Sequence, residues 1–264
     1  MKNKYSIYTI LNSVYMKYFG KIFINSLYDK VDVDNIENIF IGDTGLNKSD
    51  KKYLQKFDKV KILDTTISDT GGSYATWDSN WHNSVTQKTK IFRKLIETEN
   101  LPLIMLDADM LFLEDISSLI DTKYDIQVCF RNHERREKKH PMDYLACYVC
   151  VNNKKPLEFM DTWINMIDTE NTVNINGNLI KAKETPCLCK VVELFKNTNN
   201  PLKIGDVDED IVSVYDAPDI LPEISRIIHF KGWGPYTFSN SVEEAFDGKV
   251  VKRGWGDYVK RYLV

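Results

Sequence analysis

The stretch Leu103 to Asp115 reads Leu-Ile-Met-Leu-Asp-Ala-Asp-Met-Leu-Phe-Leu-Glu-Asp. Its first four residues are apolar, follow Pro102, and suit one short buried strand. The run stops at two carboxylates, Asp107 and Asp109, with only Ala108 between them. Where a strand ends at the C-terminal edge of a sheet the chain turns, so both carboxylates can converge on one point. Two anions that close repel each other unless a cation lies between them, and oxygen ligands suit Mg²⁺ or Mn²⁺. Taken alone, such a pair is as readily a strand end capped by solvated aspartates. The rest of the chain has to decide.

The elements that would carry this pair alternate. Tyr5–Leu11 is β-branched and aromatic, a first strand, and Asn12-Ser13 offers an N-cap to a helix reaching about Leu27 through Tyr15, Phe19, Ile22 and Phe23. A second strand spans Ile36 to Ile41, a polar helix Lys48 to Phe57, and a third strand Val60 to Leu63. Strand, helix, strand, helix, strand predicts a mostly parallel sheet covered by helices, an α/β fold. Thr65 to Asn83, with Gly71-Gly72, Trp77 and Trp81, reads as a long loop, and a helix from Ser84 to Glu97 delivers the chain to the acidic strand. Beyond it come a strand at Asp125–Phe130 and a basic loop, Arg131–His140, holding five Arg or Lys. A strand at Tyr144–Val151, a helix at Pro156–Ile167, a polar loop at Glu170–Asn178 and a helix at Thr185–Phe195 follow. Short strands near Val212 and Ile227 and a small terminal helix complete the reading. No repeat or linker divides the chain, so one domain is expected over 1–264.

Composition excludes several classes of function. A net charge of −3 offers nothing to a polyanion, so nucleic acid is not an expected partner. No apolar segment has the length of a membrane span, and the Lys-Asn-Lys start is not that of a signal peptide, which leads us to expect a cytoplasmic protein. Five cysteines, an odd number, argue for reduced thiols over a disulfide framework. Cys147-x-x-Cys150 and Cys187-x-Cys189 invite a zinc reading, but strand alternation would point Cys147 and Cys150 to opposite faces. Buried structural thiols are expected instead.

Four stretches together resemble glycogenin and its relatives in glycosyltransferase family 8, which have the GT-A fold. Thr9-Ile-Leu11-Asn12-Ser-Val-Tyr15 is similar to the family's opening strand and helix start, where Asn and Tyr hold the nucleotide base and ribose. Thr89-Lys90 resembles the place where a family lysine approaches the donor. Leu106-Asp107-Ala108-Asp109 is similar to the metal-binding strand end, and Ile228-His229-Phe230-Lys231-Gly232 to the family's His-x-x-Gly, whose histidine is the third protein ligand. The resemblance implies a Mn²⁺ (or Mg²⁺) ion held by Asp107, Asp109 and His229, and a nucleotide-sugar donor, expected to be a UDP-sugar. A glycan, protein or small molecule would accept the sugar, with retention of configuration. It also divides the domain into a nucleotide-binding half, 1–120, and a sugar and acceptor half, 121–264. Lys231 would pair a phosphate and Gly232 would allow close backbone approach.

The departures bear on the same site. The lysine that follows His-x-x-Gly in the family is replaced within Trp233-Gly-Pro235-Tyr236, so Lys231 would have to stand in for it. Ala146-Cys147-Tyr148 occupies the place of Asn-Ser-Gly on the sugar-binding strand. Glu184-Thr185 replaces Asp-Gln: Glu184 holds the sugar, assists the reaction, or begins a helix as an acid near the positive dipole end. Helical spacing sets Lys90 off the stripe of Val85, Phe92, Leu95 and Ile96 and puts Lys88 on it, as its rival. Two other readings compete with turnover of a nucleotide sugar. One is a haloacid-dehalogenase phosphatase, in which Asp107 would be the nucleophile. The other is a GT-A domain that binds a nucleotide sugar without turning it over.

Overall fold

The computed structural model describes residues 4–65, 79–132, 140–198, 201–212, 223–230 and 261–262. β1 (Tyr5–Leu11) leads into one helical segment made of α1 (Ser13–Tyr15), a π-helical turn (Met16–Gly20) and α2 (Lys21–Lys30). β2 (Ile36–Asp43), α3 (Lys48–Leu54), β3 (Val60–Asp64), α4 (Ser79–Thr98) and β4 (Leu103–Leu106) continue the alternation. β5 (Met110–Phe112) begins directly after the acidic pair, and β6 (Ile126–Phe130), β7 (Tyr144–Val151) and α5 (Leu157–Thr169) come next. β8 (Thr172–Ile175), β9 (Asn178–Lys181), α6 (Glu184–Asn197), β10 (Ile204–Asp208), α7 (Glu209–Val212) and β11 (Ile227–His229) complete the described elements.

Seven strands form one sheet in the order β10-β6-β7-β4-β1-β2-β3. Only β7 runs against its neighbours, β4 and β6; every other pairing is parallel. Both faces are covered, so β4 and β7 are apolar at every position rather than alternating. In β4, Ile104 and Leu106 join a core with Phe23 and Leu27 of α2 and Leu54 of α3. Leu103 and Met105 join the opposite core, with Phe92, Leu95 and Ile96 of α4, Phe159 and Trp163 of α5, and Val191 of α6. Each fully buried side chain of this size contributes about 1.5–3 kcal/mol through removal from water. The acidic strand is thus clamped from both sides.

The elements depart from the sequence reading at five places. α4 starts at Ser79 and so takes up the end of the expected Thr65–Asn83 loop; 66–78 and the basic 133–139 lie outside the described residues. The helix expected unbroken from Ser13 contains the π turn. In place of a polar loop at Glu170–Asn178 there is a hairpin, β8–β9, turned by Asn176 (φ 51°) and Gly177 (φ 80°). Two positive φ values in succession are what a two-residue hairpin turn of Asn-Gly demands. Near Val212 the chain is helical, and the strand lies earlier, at β10. Gly205 lies within that strand, where a Cβ would meet the Tyr124 ring at 2.5 Å. Finally, the register of β7 on β6 jumps between Val128 and Cys129. Cys147 and Cys150 therefore share one core cluster instead of facing apart, while Ala146 and Val149 line the other. All five cysteines are buried free thiols. The expected terminal helix falls outside the described residues.

Candidate functional site

Because β1, β2, β4, β6 and β10 are parallel, Leu11, Asp43, Leu106, Phe130 and Asp208 end at one edge of the sheet. Asp107, Ala108 and Asp109 turn the chain there, between β4 and β5. β5 then pairs antiparallel with β11, setting His229 opposite Met110, and the Phe230 N–H donates to the Asp109 carbonyl at 2.8 Å. A residue some 120 positions away in sequence is placed beside the acidic pair by this two-stranded ribbon. His229 Nε2 lies 3.4 Å from Asp107 Oδ2 and 3.4 Å from Asp109 Oδ1. One ligand atom from each of the three lies within 4.8 Å of the others. Asp109 and His229 are buried, and the Asp107 side chain, 28% exposed, is where the cluster opens.

Burial alone would lower the pKa of His229, but Asp109 leads the groups that push it well above the usual imidazole range. Without a cation, the cluster draws a proton into the space between the carboxylates. Two carboxylate oxygens and one imidazole nitrogen converging on that space form a donor set that fits a divalent ion, which would displace the proton.

A fourth group closes the site from α4. Lys88 Nζ is 2.5 Å from Asp107 Oδ1 and 2.9 Å from Glu184 Oε1, and Lys88 is only 3% exposed. Burial opposes its charge, yet Asp107 and then Glu184 hold it protonated. Glu184 is the first residue of α6 and is itself buried. Its backbone carbonyl accepts a hydrogen bond at 2.8 Å from the indole of Trp163, which is fully buried. Burial pushes the Glu184 carboxyl upward, with Lys88 opposing. Glu184 therefore does begin a helix, as one reading had it, but it also faces the acidic pair through Lys88.

Lys90 does not reach the cluster. Its Nζ pairs with Asp168 of α5 at 2.7 Å, both side chains about a third exposed or more. Two residues along a helix turn the side chain by about 200°, so only one of Lys88 and Lys90 can face inward. The stripe with Phe92, Leu95 and Ile96 had marked Lys88.

At the end of β1, Asn12 caps α1, its Oδ1 accepting from the Tyr15 N–H at 2.7 Å. The loop after β2 braces this helix start. Thr44 N–H donates to the Leu11 carbonyl at 3.0 Å, and Ser13 donates to the carbonyl of Gly45, a glycine at φ 128°. Tyr15 is half-buried, its ring centroid 5.7 Å from that of Phe19. The Thr9 and Leu11 side chains are turned inside, 0% and 1% exposed, so only their backbone frames the edge. Ala108 is buried between the two aspartates. Lys231 and Gly232 lie outside the described residues. Three contributors went unmarked in the sequence as parts of a site: Trp163, Cys147 and Phe230. The Cys147 thiol interacts with Cys129 and with the His229 ring, which outweigh burial and bring its pKa down. The gap at Ala146-Cys147-Tyr148 in the family pattern was the available signal for it.

The model of the family described as nucleotide-diphospho-sugar transferase matches residues 50–192, more than half of the chain. The chain belongs to this family. The matched stretch of the transferase holds Lys88, Asp107, Ala108, Asp109 and Glu184 and ends before His229. Among solved structures, the transferase superposes on the galactosyltransferase LgtC, determined in complex with donor and acceptor sugar analogues. The alignment has a TM-score of 0.58, covers 98% of this chain and 96% of the other, and retains 10% sequence identity. That likeness carries the fold, GT-A. A search of curated proteins returns no match. Family and fold together set the phosphatase reading aside, and the chain is a glycosyltransferase. Among the described residues no helix is long and apolar enough to cross a membrane.

Proposed function

We propose that this transferase moves a sugar from a UDP-sugar to a glycan, protein or small-molecule acceptor, with retention, in a reaction that depends on Mn²⁺ or Mg²⁺. The convergence of Asp107, Asp109 and His229 on one space carries the reading. These three would hold the ion, which when bound neutralises the diphosphate and makes it a leaving group. Asn12 and Tyr15 take the base and ribose at the head of α1, where an open α/β sheet presents its ligand crevice. The backbone of Thr9 and Leu11 shapes that crevice, and Ala108 keeps the space between the ligands small. Lys88 assumes the donor-side place that the family resemblance gave to Lys90, as a cation near the leaving phosphate. Glu184, oriented by Trp163 and Lys88, faces the sugar. Lys231 would pair a phosphate and Gly232 would allow close backbone approach, as the family resemblance implies. We treat the chain as one domain, since the sheet draws strands from both 1–120 and 121–264. Five reduced thiols suit a cytoplasmic setting.

A panel of UDP- and GDP-sugars assayed for sugar release, with Mn²⁺, with Mg²⁺ and with EDTA, tests the proposal. Release from one UDP-sugar, abolished by EDTA, is the expected outcome. A second reading has its own observation: Ala146-Cys147-Tyr148 stands where the family's sugar-binding residues would be, which favours a domain that binds without turnover. Binding of a donor with no release under any metal would select it.

Replacing Tyr15 by alanine will weaken UDP binding about ten- to a hundredfold, since stacking of a base on an aromatic ring is worth about 1–3 kcal/mol. Calorimetry showing equal UDP affinity would make Tyr15 an ordinary packing residue.

A further inference from the structure

The segment that presents Asn12 and Tyr15 has a second face, and that face holds the β5–β11 ribbon. Phe19 and Phe230 stack with ring centroids 5.6 Å apart and planes 24° apart, and neither is exposed. Phe23 meets Phe112 of β5 edge-on at 5.3 Å. One turn further on, the Ser26 hydroxyl accepts from the Phe112 N–H at 3.0 Å. Residues 19, 23 and 26 form a single helical stripe. Every member of it touches the ribbon that carries His229 and follows Asp109.

The π turn at Met16–Gly20 lies between this stripe and the helix head. A π turn holds about one residue more than an α turn, which rotates everything after it by about 100°. Its packing is close: a Cβ on Gly20 would stand 2.5 Å from Met16 Sδ. The insertion turns the stripe toward the ribbon while Asn12 and Tyr15 stay at the sheet edge.

From these contacts we infer that Phe19, acting through Phe230, is a positioning residue for the metal-side imidazole. Phe230 is the residue after His229, and its N–H is bonded to the Asp109 carbonyl. Where its ring rests therefore sets how far β11 reaches along β5, and with it the separation of His229 Nε2 from the two carboxylates. The inference rests on the reading of Asp107, Asp109 and His229 as metal ligands.

Mn²⁺ titration of the full chain, followed by electron paramagnetic resonance, tests it. The set is wild type, Phe19→Leu, Phe230→Leu, His229→Ala, and Phe159→Leu as a control. Phe159 is an equally buried ring on α5, meeting Phe195 edge-on across the sheet from the ribbon. Phe19→Leu and Phe230→Leu are expected to weaken Mn²⁺ about tenfold, with Phe159→Leu binding as wild type although its melting temperature falls comparably. If one Phe variant does not fold, the other is read alone, and Phe19→Met serves if neither does. Wild-type affinity in the folded Phe19 variant overturns the inference, as does equal weakening in Phe159→Leu. Should His229→Ala bind Mn²⁺ as tightly as wild type, the metal reading itself fails. Weakened binding in His229→Ala with unaltered Phe19 variants removes the positioning role alone.

Discussion

Asp109→Ala will lower metal-dependent sugar transfer by at least about a thousandfold while leaving the melting temperature within a few degrees of wild type. A bound divalent ion supplies several kcal/mol of charge stabilisation to a departing diphosphate, and each 1.36 kcal/mol is a factor of ten in rate. The contact that Asp109 gives the β5–β11 ribbon is through its backbone. Its carbonyl receives the Phe230 N–H, and that bond survives truncation of the side chain. Losing the carboxylate also removes one of two anions facing each other across His229. Turnover and Mn²⁺ affinity should fall together. A variant that turns over at the wild-type rate in Mn²⁺ would exclude this cluster as the metal centre.

Lys88→Met should give the second large effect, this time on stability. Methionine fills much of the volume, but Asp107 and Glu184 lose the buried cation that stands 2.5 and 2.9 Å from them. Breaking a buried pair by removing one partner costs about 3–5 kcal/mol. Chemical denaturation without metal should show a loss of that order, and adding Glu184→Gln should recover part of it. The pH dependence has a definite sign. Without Lys88 the buried carboxyls bind protons more readily in the folded chain than in the unfolded one, so the folded state holds more protons and is favoured by acid. The deficit therefore shrinks as pH is lowered toward the carboxylate range. Equal stability of Lys88→Met and wild type at neutral pH would mean that the ion pairs contribute nothing.

The positions of Asp107, Asp109 and His229 were legible because the signal for each is local. An apolar run that stops at two acids marks a strand end, and a histidine three residues before a glycine has a family likeness. Lys88 was legible as well, through the 3.6-residue stripe it shares with Phe92, Leu95 and Ile96. The features that escaped depend on partners remote in sequence. The extra residues that bring Cys147 and Cys150 onto one face are a property of β7 laid against β6. The π turn is seen only against what it packs on. The β8–β9 hairpin is a different case. Asn176-Gly177 with Val173, Ile175 and Ile180 around it was a readable local signal, and polarity outweighed it.

The pairing of β5 with β11 has a consequence for the order in which this protein becomes an enzyme. The chain between Met110 and His229, which includes β6, β7 and three helices, must all be made before the two can meet. Closing so long a loop adds little to the equilibrium cost, since each doubling of length costs about 0.6 kcal/mol, but contacts of such separation form slowly. On the proposed reading, two of the three ion-holding groups, Asp107 and Asp109, are made well before the third, His229. The ion affinity proposed for the three therefore waits for the β5–β11 pairing.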